Sequence, residues 1–334
     1  MAISQVFSRQ LKISREASGL SQESLADRAN LDRTYVSQLE RGLKSPTLTS
    51  LEKIADCLKI SPEKLIRDTD ALNATGSPRV DADYAVRDTD GLTIRREDGE
   101  VKIPASSLLS AIDTAHQLID EIYSIDLDIA TILGLRNLSA FFGELMASAV
   151  IRTTNGLFRP NPHQDGYPDL LLMDELGKRA WNELRDQLNE KLPFSPFPGG
   201  GIEVKATCGA VRSPADCRKR GFQRPALGDT RVACMTGYDW KAHHRETNNL
   251  AGILWDFIDQ RPRIVALFYS SQLNIEDWSE IVHPRKGGGR TTSLSIMKPS
   301  GIRKMYNGWL CVLKTGGYIE FINKKNKGSL ISRP

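Results

Sequence analysis

Two short stretches of the sequence place charged residues within runs that otherwise suit buried strands. Residues 168–172 read PDLLL, and residues 201–207 read GIEVKAT. Side chains alternate between the two faces of a strand, so Glu203 and Lys205 point to one face and the apolar residues beside them point to the other. If PDLLL is the adjacent strand, Asp169 reaches that same face from the strand's end. The sequence therefore predicts that two carboxylates and one ammonium group converge.

This combination of charges is suited to the hydrolysis of a phosphodiester. The carboxylates of Asp169 and Glu203 would repel each other unless a cation lies between them, and oxygen ligands of this kind suit Mg²⁺. A bound Mg²⁺ polarises the phosphate and lowers the pKa of a water, which then attacks as hydroxide. Lys205 can orient that water and offset the charge that develops on the phosphate. The competing interpretation is an exposed sheet on which Lys205 only pairs with Glu203.

Residues 1–70 show the periodicity of four or five short amphipathic helices. Ser21 and Asp32 stand where helix N-caps are expected, and Gly42 stands where a helix ends. Between two of these helices lies Asn30, a residue that tolerates the left-handed conformation of a tight turn. Two short helices joined by such a turn and flanked by supporting helices predict a helix-turn-helix architecture.

The same region resembles a known family from Phe7 to about Ile66. The segments GLSQESLA, YVSQLERG and PTLTSL resemble lambda-repressor-like helix-turn-helix domains, also called the Cro/CI or XRE type. In that family the second helix of the pair enters the major groove of double-stranded DNA, and the resemblance also implies that Gln22 holds a phosphate or braces a base-reading residue. The base-reading residues implied by the resemblance are Arg33, Thr34, Ser37 and Gln38. The alternative interpretation is that these residues are only solvated positions on the helix surface.

The charged strand pair resembles a second family. Pro168, Asp169, Glu203 and Lys205 are similar to the PD-(D/E)xK motif of type II restriction endonucleases. The resemblance implies an α/β core with a central mixed β-sheet flanked by helices, with Asp169 and Glu203 as Mg²⁺ ligands and Lys205 as the catalytic lysine. In many such enzymes a glutamate on an early core helix joins the site, and Glu144 is the candidate here. The carboxyl-terminal region is also faintly similar to the ScaI type.

Composition predicts three parts along the chain of 334 residues. Residues 1–70 are predicted to form the all-α helix-turn-helix domain. Residues 71–102 are rich in Asp, Gly and Thr and predict a linker with one short hairpin around Asp90–Gly91. Residues 103–334 predict the nuclease domain.

Within this last part, two apolar runs predict further core strands. RIVALFYSS begins at Arg263, and GWLCVLK begins at Gly308. The stretch from Trp240 to Ile258 is predicted to contribute helices. Together these elements predict the mixed α/β layer of a nuclease domain.

Charge and composition favour a polyanionic partner. The net charge is only +4, but residues 285–319 contain seven basic residues and no acidic residue. The loop that begins this region does not match a Walker phosphate-binding loop, so a flexible DNA-contacting loop is the better interpretation, with a solvated basic loop as the alternative. The segment RKRGFQRP from Arg218 is a second candidate contact surface. The loop residues predicted to contact DNA are Arg285, Lys286, Arg290 and Thr292.

The five cysteines are scattered, and none forms C-x-x-C. A zinc ribbon or disulfide framework is therefore not expected, and a reducing cytoplasm is the expected location. No apolar run approaches the length of a membrane span, and the first residues do not resemble a signal peptide.

These patterns predict a type II restriction endonuclease that cuts both strands of a short site with Mg²⁺. A homodimer is expected because a twofold protein matches a twofold site, and a cognate DNA methyltransferase is the expected partner in the system. The helix-turn-helix domain would add DNA contacts for cleavage or would regulate the enzyme's own expression. Two alternatives are a transcriptional regulator with a non-catalytic ligand-sensing domain and a DNA repair nuclease of the same fold.

Overall fold

The computed structural model divides into two compact units, Met1–Gly76 and Ser77–Pro334. Within the described part of the chain, no helix combines the length and the apolar composition needed to cross a membrane. All five cysteines are free thiols. The structure describes residues 3–66, 77–125, 127–242, 244–283, 294–326 and 331.

In its described residues, 3–66, the first unit is all-helical and has its own core. Leu25, Val36 and Ile54 are completely buried at its centre, where side chains from three different helices meet. An amphipathic helix buries its apolar stripe only against other elements, so five short helices stabilise one another in this way. The helices are α1 (Ile3–Ala17), α2 (Gln22–Ala29), α3 (Arg33–Glu40), α4 (Leu48–Leu58) and α5 (Pro62–Ile66).

Local hydrogen bonds fix the helix-turn-helix pair. The Ser21 side chain accepts from the Ser24 amide at 3.0 Å, and Asp32 Oδ1 accepts from the Thr34 amide at 2.7 Å. Asn30 ends α2 with φ 50° and ψ 55°, in the left-handed region. The predicted N-caps and the predicted turn are thus confirmed, and together they set the start of α3.

The second unit is built on a mixed β-sheet. Its strands are β1 (Tyr84–Val86), β2 (Leu92–Arg96), β3 (Gly99–Ile103), β4 (Phe158–Pro160), β5 (Leu170–Leu172), β6 (Gly201–Thr207), β7 (Ala210–Val211), β8 (Met235–Gly237), β9 (Lys241–Ala242), β10 (Leu250–Ile258), β11 (Arg261–Ser270), β12 (Ser295–Ile296) and β13 (Trp309–Leu313). Seven of these strands form the main sheet, in the order β1-β13-β11-β10-β6-β5-β4. Within this sheet β6 and β10 run parallel, and the other neighbouring strands run antiparallel.

Helices pack against this sheet. The α-helices of the second unit are α6 (Val80–Asp83), α7 (Ala105–Ser124), α8 (Ile129–Thr153), α9 (Glu175–Leu184), α10 (Pro214–Lys219), α11 (Pro299–Asn307) and α12 (Tyr318–Lys325). α7 and α8 pack against one another, and α8 also packs against β6, the strand that carries Glu203 and Lys205. Short 3₁₀ helices span Arg185–Gln187, Leu192–Phe194, Val232–Cys234 and Ile275–Asp277.

The predicted linker of residues 71–102 is wrong for the described residues from Ser77 onward. Those residues fold into the second unit, where β1 pairs with β13 at one edge of the main sheet and β2 pairs with β3 as a hairpin. The hairpin turns between Arg96 and Gly99, not at the predicted Asp90–Gly91. Its strands are held by distant groups: the Arg95 amide donates to Asn249 Oδ1 at 2.8 Å. These partners supply the stabilisation that the polar composition did not indicate.

The predicted helices between Trp240 and Ile258 are also wrong, because this stretch forms β9 and β10. Every residue of β10 except the last is buried. A strand covered on both faces has no alternating pattern, so its apolar run cannot be distinguished from a buried helix by periodicity.

A buried polar network joins the start of the second unit to its core. His116 on α7 is 1% exposed, its Nδ1 lies 2.8 Å from the Pro78 carbonyl oxygen, and its Nε2 accepts from the Ile264 amide at 3.0 Å. These two bonds require a neutral ring protonated at Nδ1. Burial and, to a smaller extent, the nearby Arg263 guanidinium together lower the pKa of His116 to about 4.

Acid is therefore expected to destabilise the second unit through His116. Its pKa of about 4 in the fold lies below the ordinary value of 6.5, so the stabilisation is complete above 6.5 and is lost as pH falls toward 4. The expected loss is about 3 kcal/mol in the free energy of unfolding. All five tryptophans lie in the second unit, so urea titrations followed by tryptophan fluorescence measure that unit.

His116→Asn should lower stability near neutral pH and flatten the pH dependence, whereas His163→Asn, at a partly exposed site, should keep the wild-type slope. An unchanged slope in His116→Asn would contradict this account.

Candidate functional site

The structure brings Asp169, Glu203 and Lys205 together at the junction of β5 and β6. Lys205 Nζ lies 2.7 Å from Glu203 Oε1 and 3.0 Å from Asp169 Oδ2. The two residues on β6 point to the same face, as strand alternation requires, while Asp169 approaches from the residue before β5. Two acids and one cation therefore share one polar cluster.

Backbone hydrogen bonds hold each carboxylate to the neighbouring strand. The Val204 amide donates to Asp169 Oδ2 at 2.8 Å, and the Asp169 amide donates to Glu203 Oε2 at 3.2 Å. Leu170 is paired with Ile202 in the same ladder. Because each acid is bonded across the strand boundary, the separation of the carboxylates is set by the sheet and not by side-chain rotamers alone.

Glycine at the start of β6 allows this close pairing. Gly201 has φ 156°, and a Cβ there would lie 1.9 Å from the Leu170 carbonyl oxygen. The preceding Gly200 has φ 69°, a left-handed conformation that side chains disfavour. The glycine run is thus a requirement for placing Asp169 opposite Glu203.

A cavity of about 560 Å³ opens beside the cluster. Glu144 on α8 lines it and is exposed, so the structure places the fourth predicted residue at the same cavity. Four further residues that were not predicted as site residues also line it: Gln164, Asp165, Lys191 and His244. These four lie outside the helices and strands, where no periodicity or motif identifies them.

Glu203 is the most deeply buried residue of the cluster. Its side chain is 3% exposed, against 33% for Asp169 and 23% for Lys205. Burial raises the pKa of Glu203 to about 7; Lys205 opposes this rise, and Asp169 adds to it. For Lys205, burial lowers the pKa, but the two carboxylates more than offset that effect and raise it overall. Lys205 is accordingly protonated, and Glu203 is a buried acid whose ionised form requires adjacent positive charge.

The carboxylate oxygens of the cluster fit Mg²⁺, provided that the ion takes only a few of its ligands from the protein. Among the described residues, no group of three or more His, Cys, Asp and Glu side chains is arranged to hold a metal ion. Mg²⁺ is commonly held by one or two carboxylates and completes its shell with waters and substrate phosphate oxygens. Asp169 and Glu203 can supply that pair of carboxylates, and the cavity leaves room for the remaining ligands.

The predicted DNA-reading residues lie on α3. Arg33 and Thr34 are exposed at its first turn, and Ser37 and Gln38 are half-buried one turn later. The Gln22 side chain donates to Glu40 Oε2 at 2.7 Å, so it braces the last residue of α3. Glu40 also accepts from Arg15 Nε at 2.6 Å. The predicted contact residues Arg285, Lys286, Arg290 and Thr292 lie outside the described residues.

These features define the first unit as a helix-turn-helix domain of the DNA-binding class. The family model described as HTH_3: Helix-turn-helix matches residues 11–65, and the chain belongs to that family through this unit. The prediction of a lambda-repressor-like helix-turn-helix domain is confirmed at this level for residues 11–65.

Relatives with curated names include control proteins. The chain is 41% identical over 58 residues to "Control protein C.BamHI" of Bacillus amyloliquefaciens, covering 17% of this chain and 69% of that protein. It is 44% identical over 57 residues to "Control protein C.MunI" of Mycoplasma sp, covering 17% and 77%. Among solved structures, the restriction-modification controller protein C.AhdI from Aeromonas hydrophila is 42% identical, with 20% of this chain and 98% of that chain covered and a TM-score of 0.19.

Proposed function

We propose that the second unit hydrolyses phosphodiester bonds of double-stranded DNA at a specific site with Mg²⁺, as in a type II restriction endonuclease. The observation that supports this proposal is the cluster of Asp169, Glu203 and Lys205 beside a cavity, with both carboxylates fixed to adjacent strands. A ligand-sensing domain needs a mostly apolar pocket with few charges, whereas four acids and two lysines are among the residues that line this cavity.

In the proposed mechanism the chain supplies the ligands and one cation. When bound, Mg²⁺ would polarise the scissile phosphate and acidify a water. Asp169, just before β5, and Glu203, on β6, would hold the metal. Lys205 keeps its proton at Nζ beside both carboxylates, where it orients the attacking water and offsets the charge that develops on the phosphate. Glu144 extends the acidic lining from α8.

For the first unit we propose operator binding that regulates the enzyme's own expression. Two of its relatives are named control proteins, which supports regulation over a role confined to extra contacts during cleavage. The helix-turn-helix reads a duplex through α3, and a twofold operator requires two copies of the chain. A homodimer and a cognate DNA methyltransferase complete this proposal.

Digestion of a long unmethylated DNA with Mg²⁺, followed by sequencing of the fragment ends, tests the enzymatic proposal. A restriction enzyme gives discrete fragments whose ends share one short sequence. Nicking confined to branched or damaged DNA would instead indicate a repair nuclease. Operator binding without cleavage would indicate a regulator.

Metal binding can be tested apart from cleavage through Glu203→Gln. Because this change removes one of only two carboxylates in the cluster, Mn²⁺ affinity measured by calorimetry should fall at least about tenfold. Glu183→Gln, at an exposed position on α9, is the matched control and should bind Mn²⁺ as the wild type does. Equal affinities in all three proteins would place the metal elsewhere.

A further inference from the structure

A run of exposed basic residues stands out on the second unit. Residues 218–224 read RKRGFQR and are all exposed. Four of the seven residues are basic, none is acidic, and Phe222 is 44% exposed. We refer to this segment, residues 218–224, as the basic segment.

Most of its charge is not neutralised by neighbouring acids. Asp216 pairs with Arg212 at 3.0 Å and with Arg220 at 3.2 Å. Within the described residues, Arg218, Lys219 and Arg224 form no ion pair. Three guanidinium or ammonium groups are therefore available to an anionic partner.

The basic segment is held in a defined conformation. Its first two residues are the last two of α10. Just after the helix, the Gly221 amide donates to the Arg218 carbonyl at 3.1 Å and the Phe222 amide donates to the Cys217 carbonyl at 3.0 Å. Gly221 has φ 72°, the left-handed conformation with which glycine ends a helix. Cys217 is 1% exposed and anchors the segment to the protein. The cations are thus presented by an ordered turn, which lowers the entropic cost of binding.

Along the chain, the basic segment follows the strand that carries two residues of the proposed active site. After β6, which carries Glu203 and Lys205, the chain forms β7, then α10 and the basic segment, and then β8, which pairs with β7. The Arg231 guanidinium secures the exit from β6 by donating to the Cys208 and Gly209 carbonyl oxygens, each at 3.3 Å. Between β6 and the basic segment the chain is described throughout and forms only β7 and the start of α10.

We propose that the basic segment binds the phosphate backbone of the duplex that the second unit cleaves, an inference that rests on the proposed function. Arg218, Lys219 and Arg224 contact phosphates, and Phe222 packs against the sugars or bases between them. Arginine and lysine contacts to phosphates fix the position of a protein on DNA without reading sequence. Double-stranded DNA suits the basic segment because its regularly spaced phosphates carry the opposite charge. Phe222 lies among the cations, where the sugars or bases between the phosphates offer it an apolar contact.

The test uses the full chain, without Mg²⁺, on a duplex that lacks the operator. The triple variant Arg218→Ala, Lys219→Ala, Arg224→Ala should bind at least about tenfold more weakly, and the slope of log affinity against log salt should shrink by about 2 to 3. Phe222→Ala should weaken binding without changing that slope. Lys178→Ala, Arg179→Ala, Arg185→Ala removes the same charge from exposed positions on and after α9 and should leave the slope unchanged.

The possible results separate this inference from the nuclease proposal. Wild-type affinity and slope in the basic-segment variant would overturn the inference, as would equal losses in the control triple variant, which would reflect net charge alone. If the wild type shows no cleavage but the basic-segment variant loses affinity and slope, the DNA-binding surface stands and the nuclease proposal fails. Heat-induced unfolding followed by tryptophan fluorescence should show equal melting temperatures for both triple variants.

Discussion

Lys205→Ala is expected to lower Mg²⁺-dependent DNA cleavage at least about a thousandfold, while operator binding by the first unit stays unchanged. The substitution removes the one cation seen between Asp169 and Glu203 in the described structure. Without it, the charge that develops on the phosphate is not offset, and the attacking water loses a hydrogen-bonding partner. Single-turnover cleavage at saturating enzyme measures this effect apart from DNA affinity.

The matched control is Lys178→Ala, an exposed lysine on α9, which should cleave at the wild-type rate. Purifying both variants by the same route also controls for a contaminating nuclease, since only the Lys205 variant should lose the discrete fragments. If Lys205 merely paired with Glu203 on an exposed sheet, its loss would cost no more than about 1 kcal/mol of stability and would leave cleavage intact. Cleavage by Lys205→Ala at the wild-type rate would remove the basis for the proposed active site.

Short-range patterns account for the parts of the structure that were predictable. An N-cap needs only a side-chain oxygen two or three residues from a free amide, so Ser21 and Asp32 could be identified from their neighbours alone. Strand alternation likewise placed Glu203 and Lys205 on one face without any knowledge of the sheet. In both cases the determining interaction spans a few residues.

Errors arose where distant residues determine the local structure. β1 is a strand because it pairs with β13, more than two hundred positions along the chain, and the β2–β3 hairpin is fastened by Asn249. Such pairings are not encoded in the polar composition of residues 77–103. β10 was misassigned for a related reason: both of its faces are covered, so its sequence lacks the alternation that marks a half-buried strand.

The candidate site depends both on interactions between residues close in the sequence and on interactions between distant residues. The pairing of β5 with β6 decides whether Asp169 meets Glu203, and that pairing depends on the close approach that Gly201 allows. The sequence suggested the pairing only through the motif. Lys191 and His244 reach the cavity from loops, whose paths depend on tertiary contacts, so neither was identified.

Arg33→Ala and Gln38→Ala are each expected to weaken operator binding about tenfold to a hundredfold, because a bidentate contact to a base edge contributes about 1 to 3 kcal/mol of discrimination. Both residues are on α3, whose first turn is fixed by the Asp32 cap. The operator is defined by selecting duplexes that bind the wild-type chain, and affinities are then measured by fluorescence anisotropy. Lys53→Ala, an exposed lysine on α4, is the charge-matched control for Arg33→Ala and should bind as the wild type does.

The double variant Arg33→Ala, Gln38→Ala also distinguishes the two roles considered for the first unit. If that unit regulates expression, the double variant should lose operator binding and still cleave its target at the wild-type rate, because Asp169, Glu203 and Lys205 all lie in the second unit. Repression of a reporter gene placed behind the operator should be lost at the same time. A parallel fall in cleavage would show instead that the helix-turn-helix contacts the cleavage substrate, since only then does α3 contribute binding energy to the reaction.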